Sequence, residues 1–415
     1  MKKIYFKTFG CRTNIYDTEL IKSYVKDYEI VNDENLADIV IINSCTVTNS
    51  ADSGTRAYIN SVKKRGAQVV LTGCGAVSKG RGLFEAGKID GVLGASEKSR
   101  INELLSSKAK FFELGNLNSV DKNIVTNYEN HTKAFIKIQE GCDFACSYCI
   151  IPSVRGAARS MNEESIINEA KTLAQNGYNE LVLTGTNIGS YGRKEGSSLA
   201  KLLKRLGSIA GIKRIRLGSI EPVQIDDEFK ELLSEPWLER HLHIALQHTS
   251  PKMLSIMRRR NTALKDRELF EYLAQRGFAL GTDFIVGHPG ESEQIWAEAL
   301  ENFKAFPLTH LHAFVYSPRE GTHSATLKND VKGDVAKARL AQIKQIVTQN
   351  NHKFRLAHKK QTLNVLVESE QESGIYSGLD QFYNKIIIHS NRDISKEWVS
   401  LNKYEIKEDA NYANL

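Results

Sequence analysis

The sequence predicts an α/β protein in three parts: a small doubly wound domain, a partial (β/α)6 barrel, and a small β-barrel at the end of the chain. Three observations lead there. Strand and helix signals alternate over residues 1 to about 95, six further strand–helix units run from Ala134 to Val315, and after about His358 the pattern changes to alternating apolar residues. The expected divisions are 1–115, 128–358 and 359–415.

In the first part Ile4–Phe9, Ala37–Ile42, Gln68–Leu71 and Asp90–Leu93 read as strands, with helices over Ile15–Val25 and Ala51–Lys64. Strands separated by helices of this length form parallel sheets. From Leu105 to His131 polar residues such as Asn116, Asn118, Ser119, Asp121 and Asn123 take over, and a linker is expected. Strands then recur at Ala134–Gln139, Glu180–Leu183, Arg214–Leu217, Leu242–Leu246, Phe284–Val286 and His310–Val315. Such a series closes into a parallel barrel, complete or open, whose chemistry gathers at the C-terminal strand ends. The residues found there are Thr184-Gly185-Thr186-Asn187, Gly218-Ser219-Ile220-Glu221-Pro222, Gln247-His248-Thr249-Ser250, Gly287-His288-Pro289-Gly290-Glu291 and Tyr316-Ser317-Pro318-Arg319. All five stretches are polar or glycine-rich, as ordinary solvated turns also are. A long helix is expected up to about His358, and strands at Thr362–Val367, Tyr383–Ile388 and Trp398–Leu401 form the terminal barrel. The last dozen residues lack periodicity and are expected to fray.

The apolar and charged fractions, 41% and 25%, are those of an ordinary soluble globular protein. No apolar run approaches the roughly 18 residues that span a bilayer. Met1-Lys2-Lys3 leads only to Ile4-Tyr5-Phe6 before Lys7, too little for a signal peptide, so a cytoplasmic address without membrane contact is expected. The net charge of +7 is local. Between Val331 and Lys360 six lysines and two arginines face only Asp334, leaving the remainder neutral. A strip of this kind suits a phosphate backbone as well as a solvated helix face.

All six cysteines lie in the first 150 residues. Cys142, Cys146 and Cys149 share one short loop after the first barrel strand, a spacing that favours three corners of an iron–sulfur cube with one iron left open. A closed zinc site wants a fourth ligand, and no neighbouring cysteine or histidine offers one. Cys11, Cys45 and Cys74 each follow a predicted strand end, next to Gly or Ser. Those ends share the sheet edge where open α/β folds bind ligands, which favours a second cluster over three small buried hydrophobes.

These residues also carry a family resemblance. The run Lys137-Ile138-Gln139-Glu140-Gly141-Cys142, continued by Cys146, Tyr148-Cys149 and Ile150-Ile151-Pro152, resembles the radical S-adenosylmethionine (SAM) enzymes. Phe9-Gly10-Cys11, Asn43-Ser44-Cys45-Thr46-Val47-Thr48 and Thr72-Gly73-Cys74 narrow the resemblance to the methylthiotransferases. Arg155-Gly156, Arg159-Ser160, Leu183-Thr184-Gly185, Gln247, Met257-Arg258-Arg259 and Asp283 through Glu291 extend it over essentially the whole chain. Asn43 to Asn49 and Lys213-Arg214-Ile215-Arg216 look most like the MtaB branch. The chain departs from the family pattern at Met161, Ala245, Thr249 and His288, and its terminal part, similar to a TRAM domain, is short.

The resemblance implies two [4Fe–4S] clusters and SAM. Cys142, Cys146 and Cys149 would hold the cluster whose open iron binds SAM and generates a radical, and Cys11, Cys45 and Cys74 the cluster that holds the sulfur to be inserted. Tyr148, Gly185, Ser219, Gln247, Arg258, Asp283 and Gly287 are the implied SAM contacts, with Tyr148 against the adenine. The implied reaction is thiomethylation at C2 of N6-threonylcarbamoyladenosine 37 in the anticodon loop of tRNA, a C–H bond that acid–base chemistry cannot activate. The basic helix and the TRAM-like domain would hold RNA phosphates. An electron donor such as flavodoxin or ferredoxin is required, and the sulfur donor stays open. Alternative substrates are isopentenyladenosine 37 in tRNA and an aspartate of a ribosomal protein. A non-catalytic iron–sulfur electron carrier or RNA-binding protein is the more distant alternative.

Overall fold

Ile39–Ser44 is buried at all six positions because helices cover both faces of the sheet through which it runs. That sheet opens the chain in the computed structural model, which describes residues 1–107, 109–129 and 131–415. Its elements are β1 (Lys3–Thr8), α1 (Arg12–Tyr24), β2 (Glu29–Ile30), β3 (Ile39–Ser44), α2 (Asn49–Lys64), β4 (Gln68–Gly73), α3 (Cys74–Glu85), β5 (Gly91–Leu93), α4 (Ile101–Ser106) and β6 (Phe111–Glu113). All strands are parallel, in the order β2-β1-β3-β4-β5-β6. The linker expected from Leu105 thus begins inside the domain: Phe111–Glu113 is the sixth strand, too short to show periodicity and fixed by pairing with β5.

The second part comprises β7 (Ala134–Glu140), α5 (Ile151–Arg155), β8 (Arg159–Ser160), α6 (Glu163–Gln175), β9 (Glu180–Gly185), α7 (Leu199–Gly207), β10 (Arg214–Leu217), α8 (Asp227–Lys230), β11 (His241–His243), α9 (Pro251–Ile256), α10 (Ala263–Gln275), β12 (Ala279–Val286), α11 (Glu293–Lys304), β13 (His310–Val315) and α12 (Gly333–Ala357). β7, β9 and β10 pair in parallel, as do β11, β12 and β13. Bridges Ile215–Leu238 and Ile220–Ile244 join the two halves into a six-stranded partial barrel. Among the described residues no ladder returns from β13 to β7.

α1 packs along β7 and β9, next to that open side. Packing on two fronts explains why its polar residues Thr13, Asn14, Asp17 and Thr18 are buried along with Tyr16, Leu20 and Ile21. Glu169 of α6 completes the seam, accepting from Val125 N at 3.1 Å and from the Tyr16 hydroxyl at 3.4 Å. Burial pushes its carboxyl up to about 8, although both donors pull the other way. With the folded value above the ordinary one, the stability held by the neutral acid is full below pH 4.5 and is lost as the pH rises toward about 8. Glu169→Gln removes that dependence. Its melting-temperature advantage over the parent should widen from pH 5 to pH 8, by up to about 1.4 kcal/mol of stability per pH unit. Parallel profiles would place the ionised carboxylate in the seam.

α12 is an integral barrel helix. It packs on β12 and β13 through Ala336, Ile343 and Val347, while Lys332, Lys337, Lys344, Lys353, Lys359 and Lys360 in and around it are exposed. Its two arginines face inward: Arg339 pairs with Glu291 at 2.5 Å, and Arg355 donates to Lys407 O, Glu408 O and Asn411 Oδ1. The last part is a curled six-stranded sheet of β14 (Leu363–Glu372), β15 (Ile375–Leu379), β16 (Lys385–His389), β17 (Trp398–Leu401), β18 (Glu405–Ile406) and β19 (Asn411–Asn414). The chain end does not fray. β19 pairs in parallel with β16 and is fastened by Arg355, two long-range interactions that local periodicity does not register. No described helix is long and apolar enough to cross a membrane.

Candidate active site

β7 delivers its cysteine loop through Gly141, at φ 75°, where a Cβ would come within 2.0 Å of Ala157 O. Only glycine fits that approach. Gln139 fixes the turn, donating to Glu140 O and Gly141 O and accepting from Asn187 N at 2.8 Å. Donors then converge on the sulfurs. Phe144 N and Asn187 Nδ2 point at Cys142 Sγ from 3.4 and 3.6 Å, and Arg259 Nη1 at Cys146 Sγ from 3.6 Å. Arg259 is itself held by Glu221 and by Ala245 O. Burial, and then repulsion from Cys146 and Cys142, push the Cys149 thiol up to about 12. Three thiols on one short loop, with N–H groups aimed at Cys142 and Cys146, fit an iron–sulfur cluster, whose cationic irons supply the charge that makes thiolates stable there.

Cys11 follows β1, Cys45 follows β3 and Cys74 opens α3 after β4, so three neighbouring strands bring them to one edge. Gly10, at φ 101°, lies so close that a Cβ would meet Cys45 Cβ at 2.6 Å. Val47 N points at Cys45 Sγ from 3.5 Å. Burial, and to a lesser degree Cys74 and Cys11, push the Cys45 thiol up to about 11. This donor set also suits a cluster with three protein ligands.

The two sets meet at α5. Ile150 and Val154, just past Cys149, pack against Cys74. Arg155 donates Nε to Cys74 Sγ at 3.1 Å, Nη1 to Asp17 Oδ2 and Glu140 Oε1 at 2.7 and 2.6 Å, and Nη2 to Asn14 Oδ1 at 2.6 Å. Lys137 and Lys98 complete the network on Asp17 and Asp121. Burial alone would raise the Asp17 carboxyl, but Lys137, Lys98 and Arg155 hold it well below the usual carboxylate range.

A cavity of about 320 Å³ opens beside Cys149 where the first two parts meet, lined by Val47 and Thr48 from one part and by Tyr148, Cys149, Gln247, Asp283, Tyr316 and Arg319 from the other. Of the implied SAM contacts, Tyr148, Gln247 and Asp283 line it, and Ser219 donates to Asp283 Oδ2 at 3.1 Å. Gly185 abuts Gln139 O, Gly287 abuts Ala336, and Arg258 is exposed beside the inward-facing Arg259. Sequence reasoning gave no role to Asp17, Asn14, Arg155, His243 or His312. Arg155 stands within the family resemblance, and Asn14 and Asp17 lie three and six residues beyond Cys11.

The barrel and its cysteine loop define a radical SAM enzyme: residues 136–303 match the radical SAM superfamily. Residues 3–94 match the family described as "Uncharacterized protein family UPF0004". Over its full length the chain is 49% identical to a Helicobacter pylori (strain J99) protein named "Putative methylthiotransferase", covering all of that protein. It is 35% identical to threonylcarbamoyladenosine tRNA methylthiotransferase MtaB of Aquifex aeolicus, over 89% of this chain and 93% of that one. It is 30% identical to tRNA-2-methylthio-N(6)-dimethylallyladenosine synthase of Fervidobacterium nodosum, over 93% and 92% of the two chains. Among solved structures, the radical SAM methyltransferase TsrM of Kitasatospora setae shares the fold, with a TM-score of 0.61 at 14% identity over 86% of this chain and 96% of that one. The chain belongs to the radical SAM methylthiotransferase family. Membership implies a [4Fe–4S] cluster and SAM.

Proposed function

We propose that this enzyme inserts sulfur and a methyl group at C2 of N6-threonylcarbamoyladenosine 37 in tRNA. The observation that carries the reading is that the loop of Cys142, Cys146 and Cys149 packs through Ile150, Val154 and Arg155 onto Cys74 of the other set, beside a cavity lined by Cys149 and by Val47 and Thr48, which follow Cys45. Cys142, Cys146 and Cys149 would hold one [4Fe–4S] cluster and Cys11, Cys45 and Cys74 a second. When bound, the first with SAM supplies a radical able to break an unactivated C–H bond and the second supplies sulfur. The protein's part is placement. Asn187, Phe144 N and Arg259 orient the first set of thiols by hydrogen bonds, and Arg155 orients Cys74. Tyr148 and Gln247 give the cavity an aromatic wall and a polar edge for SAM. A base turned out of the anticodon loop enters between Thr48 and Tyr316, where apolar walls exclude water.

The substrate assignment rests on the MtaB relative at 35% identity, against 30–32% for relatives named dimethylallyladenosine synthases. Mass spectrometry of tRNA nucleosides from a strain lacking the gene tests it. Loss of the 2-methylthio derivative of threonylcarbamoyladenosine supports the assignment, and loss of the isopentenyl form in its place moves the substrate to that nucleoside. An unchanged nucleoside profile removes tRNA.

RNA phosphates would lie along the exposed lysines of α12 and the TRAM-like terminal sheet. Lys337 and Lys344, seven residues apart, share a helix face. Replacing both with glutamine should weaken tRNA binding and flatten its dependence on salt, by about 0.7–0.9 in logarithmic slope for each phosphate that is no longer neutralised. An unchanged slope would take this face out of the interface.

A further inference from the structure

The lumen of the barrel below the cavity holds a second constellation. His243 on β11, Asp283 on β12 and His312 on β13 lie on adjacent parallel strands, with Asp283 directly opposite His312 and His243 opposite Gly281. Positions two apart on a strand share a face, so this register turns all three side chains to one side. Gly281 leaves the room: a Cβ there would come within 2.7 Å of His243 Nδ1 and 2.9 Å of His241 Nε2. One donor atom from each of the three residues falls within 4.8 Å of the others. His243 Nε2 is 3.1 Å from Asp283 Oδ1, and His312 Nδ1 is 3.7 Å from the same oxygen.

We propose that His243, Asp283 and His312 form a binding site for one divalent first-row transition-metal cation, separate from the cysteine sets. Ligands of a cation bound at about 2.0–2.2 Å stand roughly 2.9–3.5 Å apart, so the observed separations need only small side-chain movements. The approach of His243 to Asp283 is not an ordinary hydrogen bond. Nε2 is buried and unpartnered, because Oδ1 lies off the line of its N–H. Both imidazoles pair with the one carboxylate when no cation is present, and the same atoms would close on a cation. The other carboxylate oxygen accepts from Ser219, as a metal-bound carboxylate's usually does.

Two imidazoles and one carboxylate favour borderline cations such as zinc or iron(II), and manganese(II) less strongly, over magnesium and calcium, which take oxygen donors. The remaining coordination positions are open. His312 is 59% exposed and Asp283 lines the cavity, so those positions face the space where the substrate base enters. Water, or a nitrogen or oxygen donor of the substrate, would complete the shell.

Reconstituted holoenzyme, with the thiols occupied by clusters, tests the site. Zinc bound per chain is counted by equilibrium dialysis and elemental analysis, and manganese by loss of the free-ion electron paramagnetic resonance signal. The parent should bind one equivalent of at least one cation that His312→Ala and Asp283→Asn lose, with Ser219→Ala weakening it about 10- to 100-fold. Iron and sulfide content show that each variant has kept its fold, and exposed His312 makes His312→Ala the decisive one. No saturable binding of either cation, or binding that His312→Ala leaves intact, overturns the proposal, and SAM affinity weakened by Asp283→Asn without a metal equivalent assigns that carboxylate to SAM instead.

Discussion

Cys142→Ala is expected to abolish reductive cleavage of SAM, whereas Cys11→Ala leaves cleavage measurable and stops thiomethylation. The difference follows from where the sulfurs sit. Cys142 lies in the loop of β7 with donors from Phe144 and Asn187, on the barrel side of the cavity. Cys11 lies just past β1 at the edge of the first sheet, exposed. Neither change leaves a buried charge or a cavity of consequence, so both proteins should fold, and on the proposed two-cluster reading iron content should fall by half in each. The assay is 5′-deoxyadenosine release alongside mass spectrometry of the tRNA nucleoside. Equal loss of both activities in both variants would end the division of labour between the two thiol sets.

Much of this arrangement is legible in the chain because strand ends announce themselves. β3 and β4 are short apolar runs that stop at Ser44 and Gly73, β1 ends at Thr8 shortly before Gly10, and each of the lone cysteines stands within three residues of its strand's end. Parallel pairing then does what sequence distance conceals, bringing together residues about 30 apart in the chain. The elements that local pattern does not register depend on partners far away. β6 and β19 are three and four residues long and exist through β5 and β16, so neither can show a period. Asp121 lies in a polar stretch with the composition of a linker, yet it is clamped by Lys98 and Lys137. The inward-facing histidines of β11 and β13 alternate correctly for strands, but only the register across Gly281 shows that they face one carboxylate.

Arg155→Ala should be the most destabilising single change at the junction of the first two parts. Its guanidinium sits on Asp17, Glu140, Asn14 and Cys74 at once, all buried. Removing one partner of a buried ion pair strands the other charge, at a cost of about 3–5 kcal/mol. Here two carboxylates lose a partner, although Lys137 still reaches both, at 2.6 Å from Asp17 and 3.3 Å from Glu140. Lysine in place of Arg155 keeps the charge but not the fork that serves four acceptors, so Arg155→Lys should recover only part of the loss. Combining Arg155→Ala with Asp17→Asn should cost less than the two separately, since each change removes the other's stranded group. Urea denaturation of these four variants and the parent reads these differences, and a cost below about 1 kcal/mol for Arg155→Ala would show that apolar packing of Ile150 and Val154 on Cys74 carries the junction instead. Arg155 also reaches across from the radical-generating loop to a sulfur of the other set. If Cys11, Cys45 and Cys74 hold the proposed second cluster, the same variant should assemble it poorly while the first forms normally, a selective loss of iron that destabilisation alone would not produce.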